Sequence, residues 1–80
     1  MSKRHAVWLV RWTHYEYGGP QSESGGSFFL TREAAITAIE AREADGDRTW
    51  FADGYRYKGS GPSQEFVDDS TYQQLLKSQG

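Results

Sequence analysis

The stretch AVWLVRWTHYEY, residues 6–17, decides the fold, because β-branched and aromatic residues alternate in it with polar ones before a Gly-Gly-Pro break. At the two-residue period of a β-strand, its side chains divide between two faces. One face carries Ala6, Trp8, Val10, Trp12 and His14, and the other carries Val7, Leu9, Arg11, Thr13, Tyr15 and Tyr17. This pattern predicts the central strand of a small sheet.

The residues that follow predict a second strand and a helix. Residues 27–30 (SFFL) form a short apolar run that we expect to return antiparallel to the first strand. Thr31 is a good N-cap, and Glu33 falls in the first turn, where the helix dipole favours an anion. The apolar residues of the next segment gather on one side of a helix at Ala35, Ile36, Ala38 and Ile39. We therefore predict a helix over residues 32–44, with Gly46 as the left-handed residue just beyond its end.

The second strong local signal is Asp53-Gly54, which lies between two β-rich quartets and is typical of a two-residue hairpin turn. Such a hairpin would pair Ala52 with Tyr55 and Trp50 with Tyr57 on one face. Thr49, Phe51, Arg56 and Lys58 would then share the other face. A continuous strand with a bulge at Gly54 is the competing interpretation.

The last third of the chain predicts a flexible connection at residues 59–63, a brief strand at 64–67 and a two-turn helix. Ser70 with Gln73 would form a capping box, although Asp68 or Asp69 could cap the helix instead. The apolar face of this helix consists of Tyr72, Leu75 and Leu76. Together these elements predict an α+β fold with a small antiparallel sheet of three or four strands in the order β-β-α-β-β-α, both helices packing on one face.

The composition indicates a single domain over residues 1–80, with frayed ends at 1–5 and 78–80 and flexible loops at 18–26 and 59–63. Only 36% of the residues are hydrophobic, but 15% are aromatic, so a few large rings must build the core. There is no cysteine for a disulfide or a thiolate metal site. The formal charge of −2 argues against a dedicated nucleic-acid binder. No apolar run resembles a signal peptide or a membrane span, so we expect a cytoplasmic protein without membrane contact.

Residues that could carry chemistry are few. His14 and Glu16 share a strand face, but two ligands do not define a metal site. Glu65, Asp68 and Asp69 have no apolar surroundings that would separate their pKa values, so a solvated, helix-capping cluster is the better interpretation. No strained nucleophile turn of the Gly-x-Ser-x-Gly kind is present. We therefore predict a protein that is not an enzyme, with no catalytic residue, no metal and no cofactor.

Two surfaces are candidates for binding a partner. The first is the acidic side of the first helix and the residues just beyond it, comprising Glu33, Glu40, Glu43, Asp45 and Asp47. The second is an aromatic and basic sheet face, comprising Arg11, Tyr15, Tyr17, Phe51, Arg56 and Lys58. Exposed aromatic and arginine side chains are enriched at protein interfaces, and aromatic–basic sheets also bind single-stranded nucleic acid.

The segments VWLV (7–10), YEYG (15–18), FLTREAA (29–35) and DGYRY (53–57) give the chain a resemblance to small uncharacterised bacterial and phage αβ domains. In size and composition the chain also resembles phage-encoded inhibitors of host defence, notably anti-CRISPR proteins. This second resemblance implies a non-enzymatic inhibitor, monomeric or weakly dimeric, that occupies a surface of a protein or ribonucleoprotein effector in the bacterial cytoplasm. The alternative is a module that binds a ligand or single-stranded nucleic acid on the outer sheet face, although the net charge disfavours nucleic acid.

Overall fold

A computed structural model describes residues 3–79 as an α+β fold with one three-stranded antiparallel sheet and two helices. In chain order the elements are β1 (Arg4–Glu16), β2 (Ser22–Phe29), α1 (Arg32–Asp53), β3 (Tyr55–Asp68) and α2 (Asp69–Gln79). The strand order across the sheet is β2-β1-β3. The α+β class is thus as predicted, but the order is β-β-α-β-α, with no second strand between α1 and β3. No helix among residues 3–79 is long and apolar enough to cross a membrane.

β1 is the central strand, and its alternation of faces is unbroken. The pairing register shifts between Leu9 and Arg11 against β3, and between Arg11 and Thr13 against β2. In both places the extra residue belongs to the partner strand, since Leu9 and Arg11 pair with Ser63 and Ser60. The two faces predicted for residues 6–15 are therefore confirmed.

The two glycine-rich segments predicted as flexible loops are largely strand. Residues 22–26 belong to β2, and residues 59–63 belong to β3. Gly25 and Gly61 have φ angles of 102° and 104° and lie where the extra residues are accommodated. Glycine serves bulges as well as loops, which composition alone does not distinguish. The frayed ends are also shorter than predicted: residues 4–5 belong to β1 and residues 78–79 to α2, while residues 1, 2 and 80 lie outside the described residues.

α1 is nine residues longer than the predicted helix, because Gly46 does not end it. Gly46 is buried inside the helix, where a Cβ would come within ordinary contact distance of Arg56 and Tyr57 on β3. The helix ends instead at Gly54, whose φ is 78° and whose amide donates to the carbonyls of Thr49 and Trp50. Asp53-Gly54 is a helix terminus. Both the hairpin and the bulge interpretations were wrong.

α1 packs on the even-numbered face of β1. Val10, Trp12 and Ala35 form the buried cluster, with Trp8, Phe29 and Ile39 half-buried against it. The Thr31 N-cap is confirmed, since its hydroxyl accepts from the Ala34 amide at 3.1 Å. The apolar side chains on the even-numbered face of β1 and Ala35 of α1 thus make the core, whereas Trp50 lies in α1 outside this cluster.

α2 packs on the opposite, odd-numbered face, so the prediction of both helices on one face was wrong. The Tyr72 ring of α2 stacks on His5 at 4.0 Å, and Val7 on the same face is fully buried. The physical reason is that both faces of β1 carry apolar residues at this end of the strand, and each apolar face must be buried against another element. Asp68 accepts from the Thr71 amide at 2.8 Å and is therefore the N-cap among the candidates.

Candidate interaction surfaces

The five acidic candidates all lie within α1, including Asp45 and Asp47, which the sequence placed beyond its end. At 3.6 residues per turn, Glu33, Glu40 and Phe51 fall within about 20° of one another around the helix. Phe51 is 87% exposed, although it is a large apolar side chain. The side of α1 facing away from the sheet therefore carries an acidic stripe that ends in an exposed aromatic ring.

Two of the acidic candidates are already engaged within the chain. Asp45 bonds to Arg48 at 2.9 Å and raises the pKa of that guanidinium. Asp47 lies 3.8 Å from Arg56. Glu33, Glu40 and Glu43 form no ion pair within residues 3–79. These three glutamates are the acidic side chains that a partner could engage without breaking an internal pair.

Three aromatic side chains lie near the junction of α1 and β3; we call Tyr17, Trp50 and Phe51 the aromatic end. The Tyr17 and Trp50 rings are 5.3 Å apart, and the Tyr17 amide donates to the Gly54 carbonyl at 2.8 Å. Tyr17 is nevertheless 78% exposed. The sequence placed Tyr17 and Phe51 on the sheet face with Lys58, but Phe51 lies in α1, and Tyr17 lies just beyond the end of β1 with its ring near Trp50.

The remaining basic and aromatic candidates meet on the odd-numbered sheet face beyond the part that α2 approaches. Pairing sets Tyr15 opposite Arg56 and Thr13 opposite Lys58, with Arg11 further along the same face. The Lys58 ammonium lies 5.8 Å from the centre of the Tyr15 ring. We call Arg11, Tyr15 and Lys58 the open sheet face. Arg56 starts on this face, but its guanidinium turns to the Trp50 ring at 4.6 Å.

The groups considered for catalysis or metal binding are dispersed or engaged elsewhere. His14 and Glu16 approach only to 3.9 Å. Asp68 caps α2, and its hydrogen bonds from Thr71 lower the pKa of its carboxyl. Asp69 bonds to His5 at 2.8 Å, which lowers the pKa of Asp69. Residues 3–79 contain no group of three His, Cys, Asp or Glu side chains that could hold a metal ion.

Sequence reasoning missed an open apolar groove of about 640 Å³ beside the N-terminal half of α1. Its walls include Phe29, Leu30, Ala34, Ala38 and Ala41. The three alanines are spaced four and three residues apart, which places them on one side of a helix. This spacing is the only feature of the sequence that indicates the groove. The groove adds an exposed apolar surface next to the acidic stripe.

No protein-family model matches this chain, and no curated protein or solved structure matches it either.

Proposed function

We propose that this protein is a non-enzymatic binding protein that docks on a basic partner surface through the acidic stripe of α1 and the aromatic end. The observation that carries the proposal is Phe51, which is 87% exposed on the same side of the helix as Glu33 and Glu40. Large exposed aromatic side chains are typical anchors of protein interfaces, where a few of them supply most of the binding energy.

The charge pattern indicates the kind of partner. Glu33, Glu40 and Glu43 are exposed and form no internal ion pair in the described part of the chain. Acidic groups at the rim of an interface steer association with a positively charged surface. A channel that binds nucleic acid in a ribonucleoprotein effector is such a surface. In its most concrete form, the proposal is an anti-CRISPR-type inhibitor encoded by a phage or mobile element.

The proposal is tested by measuring the kinetics of binding to purified CRISPR effector complexes at two salt concentrations. We expect F51A to weaken binding roughly tenfold or more, mainly through faster dissociation, because it removes the anchor. We expect E40K/E43K to slow association and to weaken its dependence on salt. R11E/K58E is the matched control, since it reverses two charges on the other face of the sheet.

Cleavage of target DNA by the same complexes gives the functional readout, and the wild-type protein should inhibit it. Equal kinetics for wild type, F51A and E40K/E43K would contradict the proposed surface. Failure to bind any class of CRISPR effector would contradict the anti-CRISPR form of the proposal. Affinity capture from a bacterial lysate, compared between wild type and F51A, would then show whether another protein uses the same surface.

The open sheet face favours a second candidate function, the binding of single-stranded nucleic acid. Arg11, Tyr15 and Lys58 share one face, and exposed basic and aromatic side chains on a sheet can follow a phosphate backbone and stack on bases. Fluorescence anisotropy with a labelled thirty-nucleotide oligo-dT tests it. Binding that weakens with salt, is lost in R11E/K58E and survives in E40K/E43K would favour this candidate over the first.

A further inference from the structure

α2 is attached to the sheet at its two ends. At its first residue, Asp69 bonds to the His5 imidazole at 2.8 Å. One turn later the Tyr72 ring stacks on the same imidazole at 4.0 Å with the planes 8° apart. His5 lies in β1 and pairs with Val67 of β3, so this end of the helix is attached to the central strand.

The far end of α2 is attached to β2 by one side chain. The Gln79 carboxamide donates to the Phe28 carbonyl at 2.7 Å and accepts from the Leu30 amide at 3.3 Å. The Phe28 carbonyl belongs to the edge strand β2 and the Leu30 amide to the residue just beyond its end, and a carboxamide satisfies both as a neighbouring strand would.

Between these ends the helix is held weakly. α2 has no buried residue, and Leu76 is 37% exposed. Yet Val7, two residues along from His5 on the same face, is fully buried. Elements with few buried apolar contacts open at lower free energy than the rest of a protein.

We propose that α2 is a strap that opens and closes as one unit while the sheet and α1 stay folded. Closure covers Val7 and satisfies the edge of β2 at Phe28 and Leu30. Opening exposes both, and leaves the Phe28 carbonyl and the Leu30 amide without their partner in α2. The proposal does not depend on the proposed function, because it involves neither the acidic stripe and aromatic end nor the side chains of the open sheet face.

Amide hydrogen exchange, measured by NMR on the whole chain, tests the strap. H5A removes the attachment at Asp69 and Tyr72, so opening should become easier, and the exchange of the Leu30 amide at the other end should rise roughly fivefold or more. Amides in the middle of α2 should rise by the same factor. Q74A is the matched control, because Gln74 is exposed on α2 and its side chain forms no hydrogen bond within the described residues. Q74A should change neither the exchange of the Leu30 amide nor that of the amides in the middle of α2.

The amides of Val10 and Trp12 distinguish strap opening from general unfolding. Their exchange should stay at the wild-type rate in H5A, because the core is intact in the open state. Two results would overturn the proposal. One is an H5A effect confined to residues 69–73 with Leu30 unchanged, which indicates local fraying. The other is an equal rise at Val10, Trp12 and Leu30, which indicates that α2 opens only when the whole domain unfolds.

Discussion

The guanidinium carbon of Arg56 lies 4.6 Å from the centre of the Trp50 ring, across the turn where α1 passes into β3. The same guanidinium lies 3.8 Å from the Asp47 carboxylate. A side chain from the start of the strand thus packs along the last two turns of the helix. Such a cation–π contact contributes about 0.5–1 kcal/mol where exposed and about 2 kcal/mol where desolvated. This contact replaces the pairing of Trp50 with Tyr57 that the hairpin interpretation required.

The burial of the tryptophans predicts how much each stabilises the fold. Trp12 is 4% exposed and its indole N–H donates to the Ser27 hydroxyl at 2.9 Å, whereas Trp50 is only half-buried. We expect W12A to lower the free energy of unfolding by about 3–5 kcal/mol. W50A should cost less, about 1–3 kcal/mol, because less apolar surface is lost. Urea denaturation followed by circular dichroism measures both, and equal losses would contradict this order.

Gly59 lets α1 and β1 approach β3 closely. A Cβ at this position would lie 2.8 Å from Trp12 Cζ3, 2.9 Å from Ile39 Cγ1 and 3.1 Å from Val10 Cγ1. All three atoms belong to the packed core, so G59A should destabilise the protein by about 1–3 kcal/mol through overpacking. S60A, at the exposed neighbouring position, is the control. A thermal unfolding midpoint for G59A equal to that of S60A would show that the core is looser than described.

Two glycines in and after α1 should respond to alanine with opposite signs. Gly46 lies inside the helix, and a Cβ there would lie 3.4 Å from Arg56 Cβ, an ordinary contact. G46A should therefore stabilise the protein by about 0.5–1 kcal/mol through helix propensity. Gly54 has a φ of 78°, so G54A should destabilise it by about 1–2 kcal/mol. If α1 ended near residue 45, as the sequence predicted, G46A would be the destabilising variant, and chemical denaturation decides between the two.

Acid should weaken the attachment of α2. Hydrogen bonds from Thr71 lower the pKa of Asp68, and hydrogen bonds from His5 and Gln73 lower that of Asp69. A carboxyl with a lowered pKa stabilises the fold above its unfolded pKa, near 3.9, and this stabilisation is lost as the pH falls through the folded value. Thermal melts between pH 5 and pH 2 should show this loss. D69N should be less stable than the wild type at pH 5, and its stability should fall less on acidification. D68N should lose less stability at pH 5 than D69N does, because asparagine also caps helices.

Local patterns predicted those features that depend on neighbouring residues. The alternation along β1, the antiparallel return of the strand predicted at residues 27–30 and the Thr31 cap each follow from a few adjacent side chains, and the structure confirms them, although β2 ends at Phe29. Gly46 shows where such patterns fail. A glycine after an amphipathic segment is typical of a helix end, but here α1 continues through Gly46 to Gly54, where the Thr49 hydroxyl bonds to the Tyr55 carbonyl of β3.

The candidate surfaces were also determined partly by the sequence and partly by the tertiary structure. The sequence by itself determined which residues are acidic, aromatic or basic, and the parity of β1 placed Arg11 and Tyr15 on one face. Only the tertiary structure decided that Phe51 joins Glu33 and Glu40 on α1, because Asp53-Gly54 suits a hairpin and a helix terminus equally well. Contacts from the residue after β1 and from β3 select the helix, since the Tyr17 amide donates to the Gly54 carbonyl and the Thr49 hydroxyl donates to the Tyr55 carbonyl. The faces covered by the two helices were likewise set by long-range packing, because His5 meets Asp69 across 64 residues of chain.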